Sequence, residues 1–364
     1  MRAFLLFMAG LCLLGTAPQV QAQETRGKIF PYPYEMKDLD NGLRVIVIPT
    51  DYPNLVSLQI PVATGSRNEV EPGKSGFAHF FEHMMFRGTE KYPAELRLDI
   101  LKNVGANQTA YTTDDYTNYH ITFSKEDLET VLEFEADRFM NLKYSVEDFK
   151  TEARAVLGEY NKDSAEPVYK LLERQRDLAF KVHTYKHTVM GFIEDVEAMP
   201  DQFDYSLEFF DRYYRPEYTT IIVAGDVEPQ HVFQLVEKYW GDWERGSYEA
   251  QIPEEPAPDG PLYDHVNWET PTLPWITIAF RGPAFSDETL DRAVLDMIAG
   301  AAFIPSSELY EKLVLKEHKV LALWPYFPYP EGSVPSVDHG SGERSGRRLV
   351  RSRPDHADAR RAPD

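Results

Sequence analysis

The chain has 364 residues but only one cysteine, Cys12, and this scarcity limits what it can fold into. A single cysteine cannot form an intrachain disulfide, so burial of apolar side chains must stabilise the fold. Cys12 also lies in a segment that we expect to be removed. Thiolate metal sites and cysteine nucleophiles are therefore excluded from the remaining chain, and any metal must be held by His, Asp or Glu.

The first 22 residues have the pattern of an export signal. A short basic start precedes an apolar run over 3–14, which is shorter than the about 18 residues that a membrane-spanning helix needs. Residues 20–22 offer a small-residue cleavage site. We expect cleavage after Ala22, a periplasmic or secreted location and no later transmembrane segment. A lipid anchor at Cys12 is the alternative, and Leu11 before it disfavours that site.

The formal net charge of −21 is strongly acidic. Nucleic acid is therefore excluded as a partner, because its phosphates would be repelled. The simplest interpretation of the acidity is that it keeps an exported protein soluble.

Strand and helix signals are mixed along the chain. Asn41-Gly42 predicts a hairpin, and Ser145 followed three residues later by Asp148 predicts a helix start. Strands are predicted at 36–40, 43–49, 56–63, 109–123, 219–224 and 275–281, and helices at 77–87, 96–104, 125–141, 146–162, 167–182, 202–214, 229–240, 287–299 and 307–316. Because the order lacks a regular βαβ repeat, the predicted fold class is α+β.

Composition divides the mature chain into four segments. Prolines among acidic residues indicate a stiff linker at 251–266. It would separate a first domain at 23–250 from a short, incomplete second domain at 267–331. Residues 332–364 are poor in apolar residues and rich in arginine, so we expect a disordered tail.

The sequence His79-Phe80-Phe81-Glu82-His83 is a candidate metal motif. On a helix, positions i, i+3 and i+4 share one face, so the two imidazoles and the carboxylate project together. Two such imidazoles can bind Zn²⁺, and the carboxylate can reach a water on the same ion. This order of residues is that of the inverted zinc motif.

A third ligand is expected on another element. Glu152 and Glu159 lie seven residues apart on one face of the helix predicted at 146–162. They offer one carboxylate to a metal and one to a neighbouring imidazole. The alternative is that both are ordinary surface acids of an amphipathic helix.

Other histidines compete weakly with this motif. His183 and His187 are also spaced i, i+4, but no glutamate lies between them and their surroundings indicate a loop. A separate metal site there is the minor alternative. His120 lies in a predicted strand rich in Thr and Tyr, where a structural role is the simpler interpretation.

Beyond these motifs, the chain resembles the peptidase family that contains pitrilysin, insulin-degrading enzyme and the mitochondrial processing peptidase. The resemblance covers about residues 34 to 328 and includes the spacing from His83 to Glu159. Its landmarks, in chain order, are Asn41-Gly42-Leu43-Arg44-Val45, the segment 76–89 around the motif, Thr109-Ala110-Tyr111-Thr112, and Val223-Ala224-Gly225-Asp226. The resemblance implies a two-layer mixed sheet packed by helices, followed by part of a second similar domain.

The resemblance also implies roles for the candidate residues. His79, His83 and Glu159 would bind one Zn²⁺ per chain, with Glu82 as the general base and Glu152 orienting a ligand histidine. The other implied group would bind substrate as an added strand, and it comprises Thr109, Ala110, Tyr111 and Thr112. Thr109 stands where the family commonly has Asn.

Two functions from different classes follow. The leading hypothesis is a zinc endopeptidase acting on peptides or unfolded segments, with a homologous partner chain completing its chamber. The alternative is a non-catalytic or partner-dependent assembly subunit, which the short second domain favours. A lyase that cleaves S-ribosylhomocysteine uses a similar motif, but it needs a cysteine that the mature chain lacks.

Overall fold

The computed structural model describes residue 30, residues 32–286 and 289–326, and the backbone of 335–341. The predicted signal peptide at 1–22 lies outside the described residues. Within the described residues, no helix combines the length and the apolar character needed to cross a bilayer.

The first part of the chain forms a six-stranded mixed sheet. Its strands, in chain order, are β1 (Glu35–Asp38), β2 (Arg44–Pro49), β3 (Leu55–Val62), β4 (Asn107–Thr112), β5 (Thr117–Ser124) and β6 (Thr220–Gly225). They lie side by side in the order β1-β2-β6-β3-β5-β4. Only β2 and β6 pair in parallel, and the other neighbours are antiparallel. In this sheet β1 and β4 are therefore the edge strands.

Eight α-helices accompany this sheet in the described residues. They are α1 (Phe77–Met84), α2 (Ala94–Asn103), α3 (Leu128–Asn141), α4 (Val146–Asp163), α5 (Pro167–Ala179), α6 (Ile193–Ala198), α7 (Phe203–Tyr213) and α8 (Pro229–Trp240). Burial alternates along β3, with Val56, Leu58, Ile60 and Val62 on its buried face. One face of the sheet is thus covered by the helices, as expected for a two-layer fold. The predicted α+β class is confirmed.

The first hairpin forms where Asn41-Gly42 predicts it, but its loop differs from a two-residue turn. The pairing of Asp38 with Arg44 leaves five residues in the loop, and Gly42 has φ +93° whereas Asn41 does not have positive φ. The Asn41 amide donates instead to the carbonyls of Trp240 and Trp243, at 2.9 and 3.1 Å. The five-residue loop is therefore anchored to a distant segment of the chain.

A second, smaller sheet follows. It contains β7 (Trp275–Arg281), β8 (Ala322–Tyr326) and β9 (Pro335–Ser341), in the order β7-β9-β8, accompanied by α9 (Asp291–Ala302) and short helical turns at 308–316. The strand β9 differs from the disorder predicted for 332–364, because its backbone pairs with both β7 and β8. The rest of that predicted tail lies outside the described residues.

The segment predicted as a linker, 251–266, is attached to the first part. The Glu255 carboxylate accepts the backbone N–H groups of Lys181, Val182 and His183 at 2.8 to 2.9 Å. Arg174 also pairs with Asp264, at 2.5 Å. The connection is therefore held in place by polar contacts at two points.

Candidate metal centre

Helix α1 is fixed by its apolar side chains and by an acid at its start. Phe77, Phe80, Phe81 and Met84 are fully buried, so their face of α1 points into the core. The carboxylate of Glu69, also buried, accepts the N–H groups of Gly76 and Ala78, each at 2.7 Å. These N–H groups have no partner inside the helix, and Glu69 supplies one. Burial raises the pKa of Glu69. This residue was not predicted from the sequence.

The two motif histidines face each other. Nε2 of His79 lies 3.3 Å from Nε2 of His83. Burial, and then the neighbouring His83, lower the pKa of His79 to about 3, so that ring is neutral at physiological pH. A neutral imidazole presents a nitrogen lone pair, which is the form that binds a metal.

Glu159 on α4 completes a group of three. Its Oε2 lies 3.7 Å from Nε2 of His79 and 3.4 Å from Nε2 of His83. All three ligand atoms lie within 4.8 Å of one another, and no other such group occurs in the described part of the chain. Helix α4 begins with the predicted capping box, in which Ser145 and Asp148 bond reciprocally. Two nitrogens and one carboxylate oxygen are a donor set that suits zinc.

Glu152, one of the two predicted acids on α4, contacts the other nitrogen of His83. Its Oε1 lies 2.9 Å from His83 Nδ1, while its Oε2 accepts from Nε of Arg87 at 2.8 Å. The hydrogen bond to Glu152 raises the pKa of His83. The hydrogen bonds from His83 and from Arg87 lower the pKa of Glu152. With Nδ1 donating to Glu152, Nε2 of a neutral His83 carries the lone pair and points toward His79. The Arg87 contact was not predicted.

Glu82, on α1, contacts an edge strand of the sheet. The hydroxyl of Thr112, the last residue of β4, donates to Oε2 of Glu82 at 2.7 Å. Burial raises the pKa of Glu82, and the bond from Thr112 opposes that rise. A carboxylate whose affinity for a proton is raised by burial suits a general base.

The predicted substrate segment forms the edge strand β4. Thr109 and Tyr111 are exposed, whereas Ala110 and Thr112 are half-buried. The single predicted strand at 109–123 is wrong in one respect, because a turn at 113–116 divides it into β4 and β5. The Thr113 hydroxyl accepts the N–H groups of Asp115 and Tyr116, which closes the turn.

The competing histidines His120, His183 and His187 lie outside the metal-binding group. Nδ1 of His183 accepts the N–H of Tyr185 at 3.0 Å, and Nδ1 of His187 lies 2.9 Å from the Thr188 carbonyl. His120 is half-buried on β5, with its ring near that of Tyr111. None of the three belongs to the metal-binding group found in the described residues.

Comparison with known proteins identifies the family. Residues 44–191 match the family description "Insulinase (Peptidase family M16)", and residues 203–327 match "Peptidase M16 inactive domain". The two matches together cover most of the chain. The chain belongs to peptidase family M16, with the metal motif in the first matched domain.

Individual relatives agree with this assignment. The zinc protease PqqE of Helicobacter pylori is 30% identical over 293 residues, covering 77% of this chain and 64% of that protein. A crystal structure of a protease from Helicobacter pylori superposes with a TM-score of 0.80 at 28% identity, covering 86% of this chain and 76% of that chain. Human insulin-degrading enzyme is 26% identical over 61% of this chain and 22% of that protein.

A more distant structure extends the likeness of fold. The periplasmic protease PqqL from Escherichia coli has a TM-score of 0.71 at 19% identity, covering 86% of this chain and 36% of that chain. The matches with the first curated relatives span 64% and 51% of those proteins, in Helicobacter pylori and Rickettsia bellii. The chain thus corresponds to only part of the length of these relatives.

Proposed function

We propose that the chain is a zinc-dependent endopeptidase that hydrolyses peptides or unfolded polypeptide segments. The observation that carries the proposal is the convergence of His79, His83 and Glu159 within 4.8 Å, with Glu82 on the same helix as both histidines. Membership of a peptidase family supports a peptide substrate. Relatives named as zinc proteases support zinc as the metal.

One Zn²⁺ per chain would be held by His79, His83 and Glu159. The donor set fits that ion, because the facing Nε2 atoms offer two imidazole lone pairs next to a carboxylate oxygen of Glu159. The chemistry that zinc supplies when bound is polarisation of a peptide carbonyl and a lower pKa for the attacking water. Glu152 orients His83 through Nδ1 and makes it a stronger ligand.

Glu82 acts as the general base in this proposal. Its carboxylate removes a proton from the attacking water and then delivers that proton to the leaving amine. The partial burial of Glu82 favours the first step, since it raises the affinity of the carboxylate for the proton that it takes from the water.

The substrate would add to the sheet along β4. This strand is one of the two edge strands of the six-stranded sheet, and the last of its residues Thr109, Ala110, Tyr111 and Thr112 donates to Glu82. Backbone hydrogen bonds to an edge strand recognise an extended peptide with little dependence on its side chains. This mode of binding suits peptides or unfolded segments.

We also propose that the protein is exported to the periplasm or secreted. The export pattern at 1–22 supports this, and the relative PqqL is described as periplasmic. N-terminal sequencing of the exported protein is expected to begin at Gln23. A first residue upstream of that position would contradict the predicted cleavage site.

The test of the proposed function compares three proteins of the same length. Wild type, Glu82→Gln and Glu147→Gln are assayed for zinc content and for hydrolysis of a quenched-peptide library. We expect equal zinc in all three, with hydrolysis lost only in Glu82→Gln, because glutamine keeps the shape of the side chain but cannot accept the proton. Glu147 is an exposed acid on α4 and serves as the matched control. Absence of zinc from the wild type would contradict the proposed metal site.

A partner-dependent assembly subunit is the second candidate. The observation that favours it is the exposed apolar surface of β7 and α9, where Phe280 is 64% and Met297 73% exposed. A homologous partner chain could cover such a surface and complete a chamber over the metal site. Zinc binding without hydrolysis by the isolated wild-type chain would favour this candidate over the leading one.

A further inference from the structure

The hydroxyl of Thr112 is the one side-chain donor to Glu82 among the described residues. The Thr112 Oγ1 to Glu82 Oε2 distance is 2.7 Å, which is a short, charge-assisted hydrogen bond. Thr112 ends β4 and pairs with Thr117 at the start of β5, so the sheet fixes its backbone. A β-branched side chain has few rotamers, and the direction of this hydroxyl is accordingly restricted.

The neighbouring hydroxyl does not compete for Glu82. Oγ1 of Thr117, which is buried, lies 2.9 Å from the Thr64 carbonyl and 3.4 Å from Oγ1 of Thr112. A hydroxyl has one proton to donate, and the shorter contact assigns that of Thr117 to Thr64. The proton of Thr112 is left for Glu82.

We infer that Thr112 is a positioning residue, which fixes the Glu82 carboxylate so that its second oxygen faces the water proton. The inference rests on the proposed function and assigns Thr112 a role other than binding substrate backbone. With Oε2 engaged, Oε1 is the oxygen that accepts the proton. The strand proposed to receive the peptide thereby also orients the base, before any substrate arrives.

The kinetic test uses Thr112→Val, which keeps the shape of the side chain but lacks the hydroxyl, and Thr112→Ser, which keeps the hydroxyl. Thr122→Val on β5 is the control for the same substitution in the same hairpin. In the zinc-loaded enzyme we expect kcat of Thr112→Val to fall about tenfold to a hundredfold, with KM and zinc content unchanged. Thr112→Ser is expected to stay close to the wild-type rate.

Three kinetic outcomes would overturn the inference while leaving the proposed function intact. One is a wild-type rate in Thr112→Val. Another is an equal loss in Thr112→Val and Thr122→Val, which would indicate general damage to the hairpin. A loss that serine does not restore counts against the hydroxyl in the same way.

A second measurement decides the inference if the wild type does not hydrolyse peptides. The urea midpoints of the metal-free wild type, Thr112→Val, Glu82→Ala and the double variant form a cycle. We expect Thr112→Val to lower the midpoint in the wild-type background, and by clearly less in the Glu82→Ala background. Equal shifts in the two backgrounds would mean that the hydroxyl does not act on Glu82, and the inference would be wrong.

Discussion

The described residues from 32 to 250 and those from 251 to 326 differ in how much apolar surface they bury. Every buried member of the main core cluster lies between Leu39 and Trp243. Between 251 and 326, Ser307 is the only buried residue in the described positions. On β7, Ile276, Ile278 and Phe280 are all more than 40% exposed. The first region has a core of its own, whereas the described residues of the second leave apolar faces exposed.

This difference shows which region holds the metal centre in place. His79, Glu82 and His83 lie on α1, and Glu152 and Glu159 lie on α4, and both helices pack within the first core. The geometry of the candidate centre therefore depends on the first region. The apolar faces of the second region fit the proposed partner chain, because large exposed apolar patches commonly mark protein interaction sites.

The largest expected effect tests this comparison directly with the same substitution in two strands. Ile60 on β3 is 1% exposed and Ile278 on β7 is 52% exposed. We expect Ile60→Ala to lower the free energy of unfolding by about 2 to 5 kcal/mol, through lost burial and the cavity left behind. Ile278→Ala is expected to change it by about 0.5 kcal/mol or less. Urea unfolding of both variants measures this, and similar losses would contradict the comparison.

The sequence predicted the elements of the first region well where local signals are strong. Ser145 and Asp148 form the predicted capping box, and α1 begins at Phe77 as the motif required. The turn at 113–116 was missed because it contains no Gly or Pro and is closed by the Thr113 hydroxyl. That hydroxyl turn is a weaker sequence signal.

The candidate site could be predicted only as far as residues that share an element. Spacing placed His79, Glu82 and His83 on one helix face, and it left the roles of Glu152 and Glu159 open until the family resemblance was considered. The contacts of Arg87 with Glu152 and of Thr112 with Glu82 join different elements. Such contacts depend on how α1, α4 and β4 pack together, which periodicity does not report.

A smaller effect tests the connection between the two regions. Glu255→Ala removes the acceptor of three backbone N–H groups at 181–183. These charge-assisted bonds stabilise the attachment of the segment by about 1 to 2 kcal/mol. We expect the segment 251–266 to detach and to be cleaved faster in limited proteolysis. Glu254→Ala changes the exposed neighbouring acid and serves as the control. Equal cleavage rates in the two variants would show that Glu255 does not hold the segment.

The smallest expected effect concerns α4, the helix of the first region that carries Glu152 and Glu159. Gly158 is exposed in this helix, and a Cβ built there meets no atom within 4 Å. Glycine weakens a helix interior relative to alanine, so Gly158→Ala should raise the free energy of unfolding by about 0.5 to 1 kcal/mol. Zinc content should be unchanged, since Glu159 keeps its position on the helix. A lower unfolding midpoint, or loss of zinc, would mean that Glu159 needs the freedom that Gly158 gives to α4.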